Sequence, residues 1–559
     1  MWIVDLPPFL PFFIGAIIAL LLPPKLRPVF MLLIPVWGGL NLFFTHSLSQ
    51  GVNWQLMGFT LELMNVDKLS VMFGYLFHIA AFLALLFALH VKDPLQQIAS
   101  LLYAGSALGA VFSGDLLSLF LFWELLALTS VWLVLARRTD RATRAAMRYL
   151  LLQVLSGVLL LAGALLHYRD TGSLSFDHIG LSSVASWLLF IAFGIKAAFP
   201  GLHTWLTDAY PEATATGTVF LSAFTTKVAI FALARCFAGT ELLIYIGAAM
   251  TCFPIFYAVI ENDLRKVLAY SLINQLGFMV CGIGIGTALA LNGAVAHAFN
   301  DVIFKGLLFM TMGAVLHRVG HVLGSDLGGL HKTMPRTTMF CIVGAASISA
   351  FPLFSGFVSK SMVMAALIEQ GHDILWLMLL FASAGVFHHA GIKIPFFAFF
   401  AHDSGLRPKE APLNMQLAMF GAAVLCIAIG SNPQWLYQLL PWENSYVPYD
   451  LTHTLTQLQL LFFSALAFVW LNKQGMYPPE LRSVNLDMEW FYRRLLPATA
   501  TRVRGVVSTL WCGLRDWVMD HWHAMPQMSP SSSYSAAQLT RRMAAVLAIL
   551  LLLSYLSLP

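Results

Sequence analysis

Sixteen long apolar runs set the first limit on what this chain of 559 residues can fold into. Most of them approach the roughly 20 residues that a helix needs to cross a bilayer. Of the residues, 59% are hydrophobic and 11% are charged, which is too little charge to cover a soluble protein of this length. We therefore expect an all-α polytopic membrane protein with about 14–16 transmembrane helices. The runs lie near residues 9–22, 29–46, 69–91, 96–113, 115–136, 147–167, 185–203, 217–237, 241–260, 267–286, 289–316, 337–369, 374–400, 413–431, 455–471 and 543–558.

Lysine and arginine cluster in loops that follow odd-numbered runs. By the positive-inside rule, we expect those loops to be cytoplasmic and the N-terminus to be outside. The loop after the seventh run is the exception, because it carries Asp208 and Glu212 instead. That loop either admits cations or only caps the following helix, and both interpretations stay open. The basic loop residues are Lys25, Arg27, Arg137, Arg138, Arg141, Arg144, Arg148, Arg265, Lys266, Arg318, Lys332, Arg336, Arg407 and Lys409.

The sequence shows no pattern typical of a cofactor site. Its six cysteines are scattered singly, and no glycine-rich phosphate loop, haem ligand or iron–sulfur ligand set occurs. We therefore expect no bound cofactor, metal or redox centre in this chain. The net charge of +5 comes from the basic loops and gives no reason to propose nucleic-acid binding. The first run lacks the basic start and cleavage site of a signal peptide, so we expect it to remain a helix.

Charged residues inside the apolar runs are the candidate functional groups, because a charge in hydrocarbon is costly. Lys196 lies in the seventh run, just before Pro200 and Gly201, which interrupt the helix. Glu124 lies in the middle of the fifth run with no basic neighbour in sequence. A buried amine and a buried carboxylate lower each other's cost, so Lys196 is the expected partner of Glu124. The alternatives are a lysine that snorkels to the headgroups and a neutral, structural glutamate.

Three titratable residues, His297, Asp301 and Lys305, are spaced four apart in the eleventh run. A helix places them on one face, and histidine titrates near physiological pH, so together they make a candidate proton relay. The alternative is an Asp301–Lys305 ion pair that neutralises itself and locks the helix. That pair does not explain His297, so we favour the relay.

A second interrupted run repeats the pattern of the seventh. Pro352 and Gly356 break the twelfth run just before Lys360, whereas in the seventh run the lysine precedes the break. This reversal is what an inverted-topology repeat gives. We expect residues 96–237 to form the first repeat, or first half-channel, and residues 241–400 to form the second.

Two further lysines lie inside apolar runs. Lys227 lies in the eighth run, within FLSAFTTKVAIFALA, and places a second lysine close to Lys196 in sequence. In the thirteenth run, Lys393 follows His388 and His389 near the expected cytoplasmic end of the helix. Lys393 either snorkels to the headgroups or takes part in an ion pathway, and the sequence favours neither.

The ends of the chain lie outside the two repeats. Residues 1–95 and 413–471 are expected to supply further transmembrane helices. Between Asn472 and Arg542 there are nine basic and five acidic residues with tryptophans interspersed, which is typical of amphipathic helices at a membrane surface. Residues 472–559 therefore form an interfacial tail and a final helix, which either clamps a neighbouring subunit or only follows the membrane surface.

Five segments together resemble the signature segments of the antiporter-like membrane subunits. The resemblance covers roughly residues 65–430, and the segments stand in the order found in that family. The family includes the proton-pumping membrane subunits of respiratory complex I and the large subunits of Mrp-type Na+/H+ antiporters, among which the D subunit is the most similar. The segments are FWELLALTSVWLV, FGIKAAFPGLHTWLTDAYPEATATGTVFLSAFTTK, ENDLRKVLAYSLINQLGFM, HAFNDVIFKGLLFMTMGAV and FPLFSGFVSK.

The resemblance implies a fold of about fourteen or more helices with two inverted five-helix units, each containing a broken helix. Glu124 and Lys196 match the Glu–Lys pair of the family's first half-channel. Lys227 matches the connecting lysine, and Lys360 matches the terminal lysine of the second half-channel.

His297 and Lys305 fall in the segment that links the two halves in the family. The chain departs from the family pattern at Asn300-Asp301, where relatives commonly have Asn-His. An acid at that position stabilises the protonated, charged form of Lys305. The proton affinity expected of the relay therefore differs from that of relatives with histidine there.

The resemblance also implies a function, namely proton translocation by one subunit of a multisubunit cation/proton antiporter in the bacterial inner membrane. The expected partners are other membrane subunits, H+ and, as a candidate second ion, Na+. The rivals are a proton-pumping subunit of a complex I-like NADH:quinone oxidoreductase or hydrogenase, a membrane subunit of an energy-coupled inorganic-carbon accumulation complex, and a non-conducting scaffold. The intramembrane charges argue against the scaffold, because they are costly to keep without use.

Overall fold

The computed structural model describes residues 6–45, 51–56, 58–477, 480–482, 485–523, 540, 541, 543, 544 and 547. The chain divides into two compact units, Met1–Asn485 and Leu486–Pro559. The second unit contains a π-helical turn, Phe491–Leu495, that leads into the long helix α20 (Leu496–His523). The helices of the first unit are α1 (Leu10–Leu21), α2 (Arg27–Thr45), α3 (Lys68–Phe87), α4 (Pro94–Phe112), α5 (Leu116–Leu135), α6 (Asp140–Thr171), α7 (Val184–Lys196), α8 (Thr204–Ala209), α9 (Gly217–Ala223), α10 (Thr225–Cys236), α11 (Leu242–Ile260), α12 (Leu264–Ile285), α13 (Ala288–Val319), α14 (Pro335–Ile348), α15 (Ser355–Glu369), α16 (Asp373–Val386), α17 (Leu413–Ser431), α18 (Gln434–Tyr437) and α19 (Leu451–Lys473).

The predicted polytopic helical bundle is confirmed. Helices make up 74% of the structure, and the described residues contain twelve helical segments long and apolar enough to span a membrane. Helices α1 and α7 are shorter and also apolar. Fifteen of the sixteen predicted runs coincide with helices, although the seventh, eighth and twelfth are each divided. The sixteenth run, residues 543–558, lies outside the described residues except at Met543, Ala544 and Leu547.

A small antiparallel hairpin, which the sequence analysis did not predict, interrupts the all-α pattern. Its strands are β1 (Val52–Leu56) and β2 (Phe59–Met64), and Gly58 in the turn has a positive φ of 86°. The backbone N–H of Glu62 donates to the carboxylate of Asp115 at 2.7 Å. The hairpin therefore packs over the N-terminal end of α5.

The two predicted repeats have matching local structure. Asp115 caps α5 and pairs through its backbone with Ser175 after α6, while Asp263 caps α12 and pairs with Leu323 after α13. Helices α4 and α11 each have 19 residues, and α6 and α13 each have 32. One constant sequence offset relates all of these positions. This repetition supports the prediction of two equivalent helical units.

The seventh and twelfth runs are broken next to their lysines, as the sequence predicts. Helix α7 ends at Lys196, and the backbone is not helical again until Thr204. Helix α14 ends at Ile348, and α15 begins at Ser355. The expectation that Gly356 is part of the break is wrong, because Gly356 lies inside α15 and the turn is made before it.

Positive backbone φ angles at non-glycine residues make these two breaks locally strained. Ala198 has φ 62° in the first break, and Ala350 and Leu353 have φ 56° and 72° in the second. Such conformations cost about 1–3 kcal/mol each and cluster at functional sites. A third break, which was not predicted, divides the eighth run at Phe224, immediately before the turn of α10 that carries Lys227.

The acidic loop after α7 lies against the basic loop after α5. Arg148 forms two hydrogen bonds to the carboxylate of Asp208, at 2.7 and 2.9 Å. Glu212 lies 2.8 Å from Arg141 and 3.5 Å from Arg137. The two acids are therefore counter-ions of arginines in the N-terminal part of α6 and in the loop before it, which accounts for an acidic segment on a basic side.

Candidate functional site

Lys196 is fully buried at the end of α7, so the snorkelling alternative for it is wrong. Its ammonium donates to the backbone carbonyl of Trp123 at 2.6 Å and lies 4.5 Å from the centroid of the Trp123 ring. The indole N–H in turn donates to Ser156 at 2.9 Å, and Ser156 donates to the carbonyl of Ala192 at 2.7 Å. The ring is thereby held against the lysine, where its electron-rich face stabilises a positive charge.

Glu124 follows Trp123 on α5 and is half-buried. Its Oε1 is buried without a hydrogen-bond partner and lies directly against Gly157 of α6. Glu124 interacts electrostatically with Lys196, but no ion pair within 4.0 Å joins them in the described structure. The expected partnership therefore acts through space, as an electrostatic interaction without direct contact.

Among the described residues, the shortest ion pair between two fully buried side chains joins two different helices. Lys227, in the first turn of α10, lies 2.6 Å from Oδ2 of Asp301 on α13, and both side chains are 0% exposed. Lys227 also donates to the carbonyl of Ser222 at 3.1 Å, before the break in the eighth run. The alternative in which Asp301 pairs with Lys305 is wrong, because in the described structure Lys227, and not Lys305, lies within 4.0 Å of the carboxylate.

The other two members of the predicted relay are also buried in α13. Lys305 donates to the carbonyl of Leu268 on α12 at 3.4 Å. The two ring nitrogens of His297 contact Oε1 of Gln275 at 3.2 Å and the hydroxyl of Ser359 at 3.0 Å. His297 therefore links α13 to the helix that carries Lys360.

Lys360 lies in the second turn of α15 and is 3% exposed. Its ammonium donates at 2.8 Å to the carbonyl of Ile348, the last residue of α14, which the break leaves without a helical donor. It also lies 5.1 Å from the ring centroid of Phe278. Asn300 donates to Ser355 at 2.7 Å and to Ser359 at 3.1 Å, so two polar contacts hold α15 to α13.

Lys393 does not snorkel, because it is buried in a π-helical segment, Phe387–Lys393. Its ammonium donates to the carbonyls of Val259 and Glu261 at 2.6 and 2.7 Å, at the C-terminal end of α11. It also forms an ion pair with Glu480 at 2.9 Å. A cation at a helix C-terminus is favourable, and these contacts make Lys393 an anchor for the chain after α19.

Together the buried lysines form a series in which most ammonium groups are held by carbonyls. A lysine held by a carbonyl can release its proton without leaving a bare carboxylate in the low-dielectric interior. Lys196, Lys305 and Lys360 belong to this class, whereas Lys227 is paired with Asp301. Uncharged groups complete the connections, and no charge pattern in the sequence singles them out. They are Ser222, Leu268, Gln275, Ile348 and Ser359.

Residues 113–435 match the family model described as NADH:quinone oxidoreductase/Mrp antiporter, TM, and this span is more than half of the chain. The chain belongs to that family. The match includes every buried lysine described above as well as Glu124, His297 and Asp301. The buried charges of the helical bundle therefore lie within the region that matches the family model.

Two characterised relatives and one solved structure show the range of this family. Hydrogenase-4 component B of Escherichia coli (strain K12) is 30% identical over 362 residues, covering 56% of this chain and 54% of the relative. The chain therefore spans about half the length of that relative. The D subunit of the Na(+)/H(+) antiporter of Alkalihalophilus pseudofirmus is 28% identical over 355 residues, covering 59% of this chain and 72% of the relative.

The solved structure is a chain of the membrane-bound sulfane sulfur reductase, an archaeal respiratory membrane complex. It has a TM-score of 0.70 and 23% identity, and the alignment covers 98% of this chain and 99% of that one. At that identity the comparison shows the fold alone.

Proposed function

We propose that this chain is the antiporter-like, proton-translocating subunit of a multisubunit membrane complex. The observation that carries the proposal is the buried Lys227–Asp301 ion pair, which joins the first predicted repeat to the second at 2.6 Å. Residues 96–237 then form one half-channel and residues 241–400 the other. Burying two charges away from water costs several kcal/mol per ion before the pair repays it, so a functional role explains them better than stability does.

Protons pass along the series from Lys196 to Lys360. Lys196 exchanges its proton with Lys227 through water, under the influence of Glu124. The charge then passes by Asp301, His297 and Lys305 to reach Lys360. Like charges on neighbouring lysines repel, so that protonating one favours release from the next.

A movement of Glu124 relative to Lys196 would couple the pathway to a neighbouring subunit. The Oε1 atom of Glu124 has no hydrogen-bond partner, so no strong local contact fixes its position. A carboxylate that approaches the lysine stabilises the ammonium, and one that withdraws promotes proton release. A partner subunit that shifts α5 would thereby control the first transfer.

The complex we favour is a cation/proton antiporter of the Mrp type, because the D subunit of such an antiporter aligns over 72% of its length. A redox-driven respiratory complex is the second candidate. The 30% identity to hydrogenase-4 component B supports this second candidate. The subunits that co-purify with this chain distinguish the two: small antiporter subunits in the first case, and iron–sulfur or flavin subunits in the second.

The chain is proposed to lie in a bacterial inner membrane with its N-terminus outside. The basic residues lie in the loops after α1, α5, α11, α13 and α16 or in the helices that flank these loops, and the positive-inside rule places them in the cytoplasm. A periplasm-active reporter fused after α5 is expected to be inactive, and one fused after α4 is expected to be active.

The test of the pathway is ion-driven pH change in membrane vesicles that contain the whole complex. Lys196→Ala and Glu124→Ala should each abolish the pH change while the complex still assembles. Lys332→Ala, which removes a lysine that is 53% exposed, is the matched control and should transport normally. Normal transport in both pathway variants would rule out the proposal.

A further inference from the structure

A cavity of about 160 Å³ lies between α15, α16 and α19, and Lys360 is part of its wall. Its volume is large enough for several water molecules. Ile368, near the end of α15, and Thr452, in the first turn of α19, both line it. The cavity therefore extends from the break beside Lys360 towards the end of the bundle opposite the basic loops.

Polar side chains follow one face of α19 into this cavity. Thr456 and Gln457 follow His453 by three and four residues, so a helix places both beside it, and all three line the cavity. The amide of Gln457 donates at 3.0 Å to the carbonyl of Ser349. Ser349 directly follows Ile348, whose carbonyl holds the ammonium of Lys360. The polar face of α19 is thus joined to the same break that holds the lysine.

A histidine and an aspartate lie together where α19 begins. Nδ1 of His453 contacts the carboxylate of Asp450, and the side chains are 35% and 46% exposed. Tyr446 lies with its ring centroid 5.9 Å from that of His453. Asp450 and Tyr446 lie beside this histidine, Glu369 interacts electrostatically with Tyr446, and Lys360 lines the same cavity. The contact with Asp450 orients the imidazole and leaves the second ring nitrogen to exchange a proton with water.

We propose that this cavity is the water-filled route between Lys360 and the membrane surface, and that His453, positioned by Asp450, exchanges protons at its mouth. The inference rests on the proposed function, because it names the group through which the terminal lysine exchanges protons. In each transfer an N–H bond of Lys360 breaks as water takes the proton, and an N–H bond of His453 forms as water gives one up. The reverse sequence serves uptake, and no other bond changes.

Labelling of single cysteines tests whether the cavity holds water. Thr456→Cys should react with a small, cationic, thiol-directed reagent added from the side that the first turn of α19 faces. Leu455→Cys is the matched control, because Leu455 is at the same depth on α19, is 52% exposed and does not line the cavity. It should remain unlabelled in the bilayer, where the thiol does not ionise. Equal labelling at the two positions would overturn the inference.

Proton transport by the reconstituted complex tests the role of the route. Thr456→Trp should fill the cavity and abolish transport, whereas Thr456→Ser should transport normally. His453→Gln should lower the initial rate several-fold, and free imidazole added on the mouth side should restore it. His372→Gln, at a histidine outside the cavity lining, should have no effect.

The same assay separates this inference from the function on which it rests. Transport by Lys360→Ala at the normal rate would overturn the proposed function. An inactive Lys360→Ala together with normal transport by Thr456→Trp and His453→Gln would leave that function standing and overturn only the inference. Failure of imidazole to restore His453→Gln would overturn the assignment of His453.

Discussion

The Lys227–Asp301 ion pair gives the sharpest prediction, through the substitution Asp301→Asn. The pair is 2.6 Å long and both side chains are 0% exposed, so the substitution leaves a lysine deep in the bundle without its carboxylate. Removing one partner of a buried ion pair costs about 3–5 kcal/mol. Lys227 still donates a hydrogen bond to the carbonyl of Ser222 at 3.1 Å. We therefore expect a cost at the lower end of that range, about 3 kcal/mol.

The assay compares Asp301→Asn with the same change at a partly exposed ion pair. Asp208→Asn breaks the pair with Arg148, in which the aspartate is 17% and the arginine 39% exposed, and surface pairs contribute only about 0–1 kcal/mol. Thermal unfolding of the purified complex should therefore show a large drop for Asp301→Asn and a small one for Asp208→Asn. Proton transport should be lost only in the first variant.

Two results would refute this reasoning. Equal unfolding temperatures for the two variants would mean that the buried pair contributes no more than the surface pair. Normal transport by a folded Asp301→Asn would mean that the pair is not part of the pathway. The double variant Lys227→Met/Asp301→Leu separates these effects, since it removes both charges and should recover stability while remaining inactive.

The structure supports two further predictions. Gly157→Ala should abolish transport without preventing assembly, because the added Cβ would lie 1.4 Å from Oε1 of Glu124 and displace that carboxylate. Gly163→Ala on the same helix is the control, since its Cβ would meet only a movable leucine side chain at 2.9 Å and a carbonyl at 3.1 Å; equal loss in both variants would contradict the role of Glu124. Burial raises the pKa of Glu480 above its ordinary value of 4.5, more than Lys393 lowers it. Glu480 therefore contributes its full stabilisation below about pH 4.5, its ordinary pKa, and this contribution declines as the pH rises through its higher folded-state pKa. Hydrogen exchange of residues 480–482 should show this dependence in the wild type and lose it in Glu480→Gln.

The sequence predicted the helices well because each is a local pattern. In lipid, a run of apolar residues can satisfy its own backbone hydrogen bonds only by forming a helix. The position of the run in the sequence therefore gives the position of the helix. The breaks beside Lys196 and before Lys360 were predictable for the same reason, since proline and glycine act locally. The hairpin was missed because its two strands are short and lie between the second and third runs.

The partners of the charges depend on packing and could not be predicted. The spacing of Asp301 and Lys305 placed them on one helix face, but it carried no information on which lysine of another helix lies opposite. Lys227 takes the carboxylate from α10, and the break at Phe224 that precedes it has no proline to reveal it. Lys196 was the expected partner of Glu124, yet its ammonium donates to the Trp123 carbonyl at 2.6 Å and no ion pair within 4.0 Å joins it to Glu124 in the described structure.

The different partners of the lysines imply different roles in transport. Lys196, Lys305 and Lys360 are held by carbonyls, so each can exist as an ammonium or as a neutral amine. When Lys227 loses its proton, by contrast, Asp301 is left as an uncompensated negative charge in the centre of the bundle. That charge attracts the next proton to this position more strongly than to any carbonyl-held lysine. We therefore propose that the ion pair is the refilling step between the two predicted repeats, so that a proton on Lys227 should move on only when another reaches Lys196.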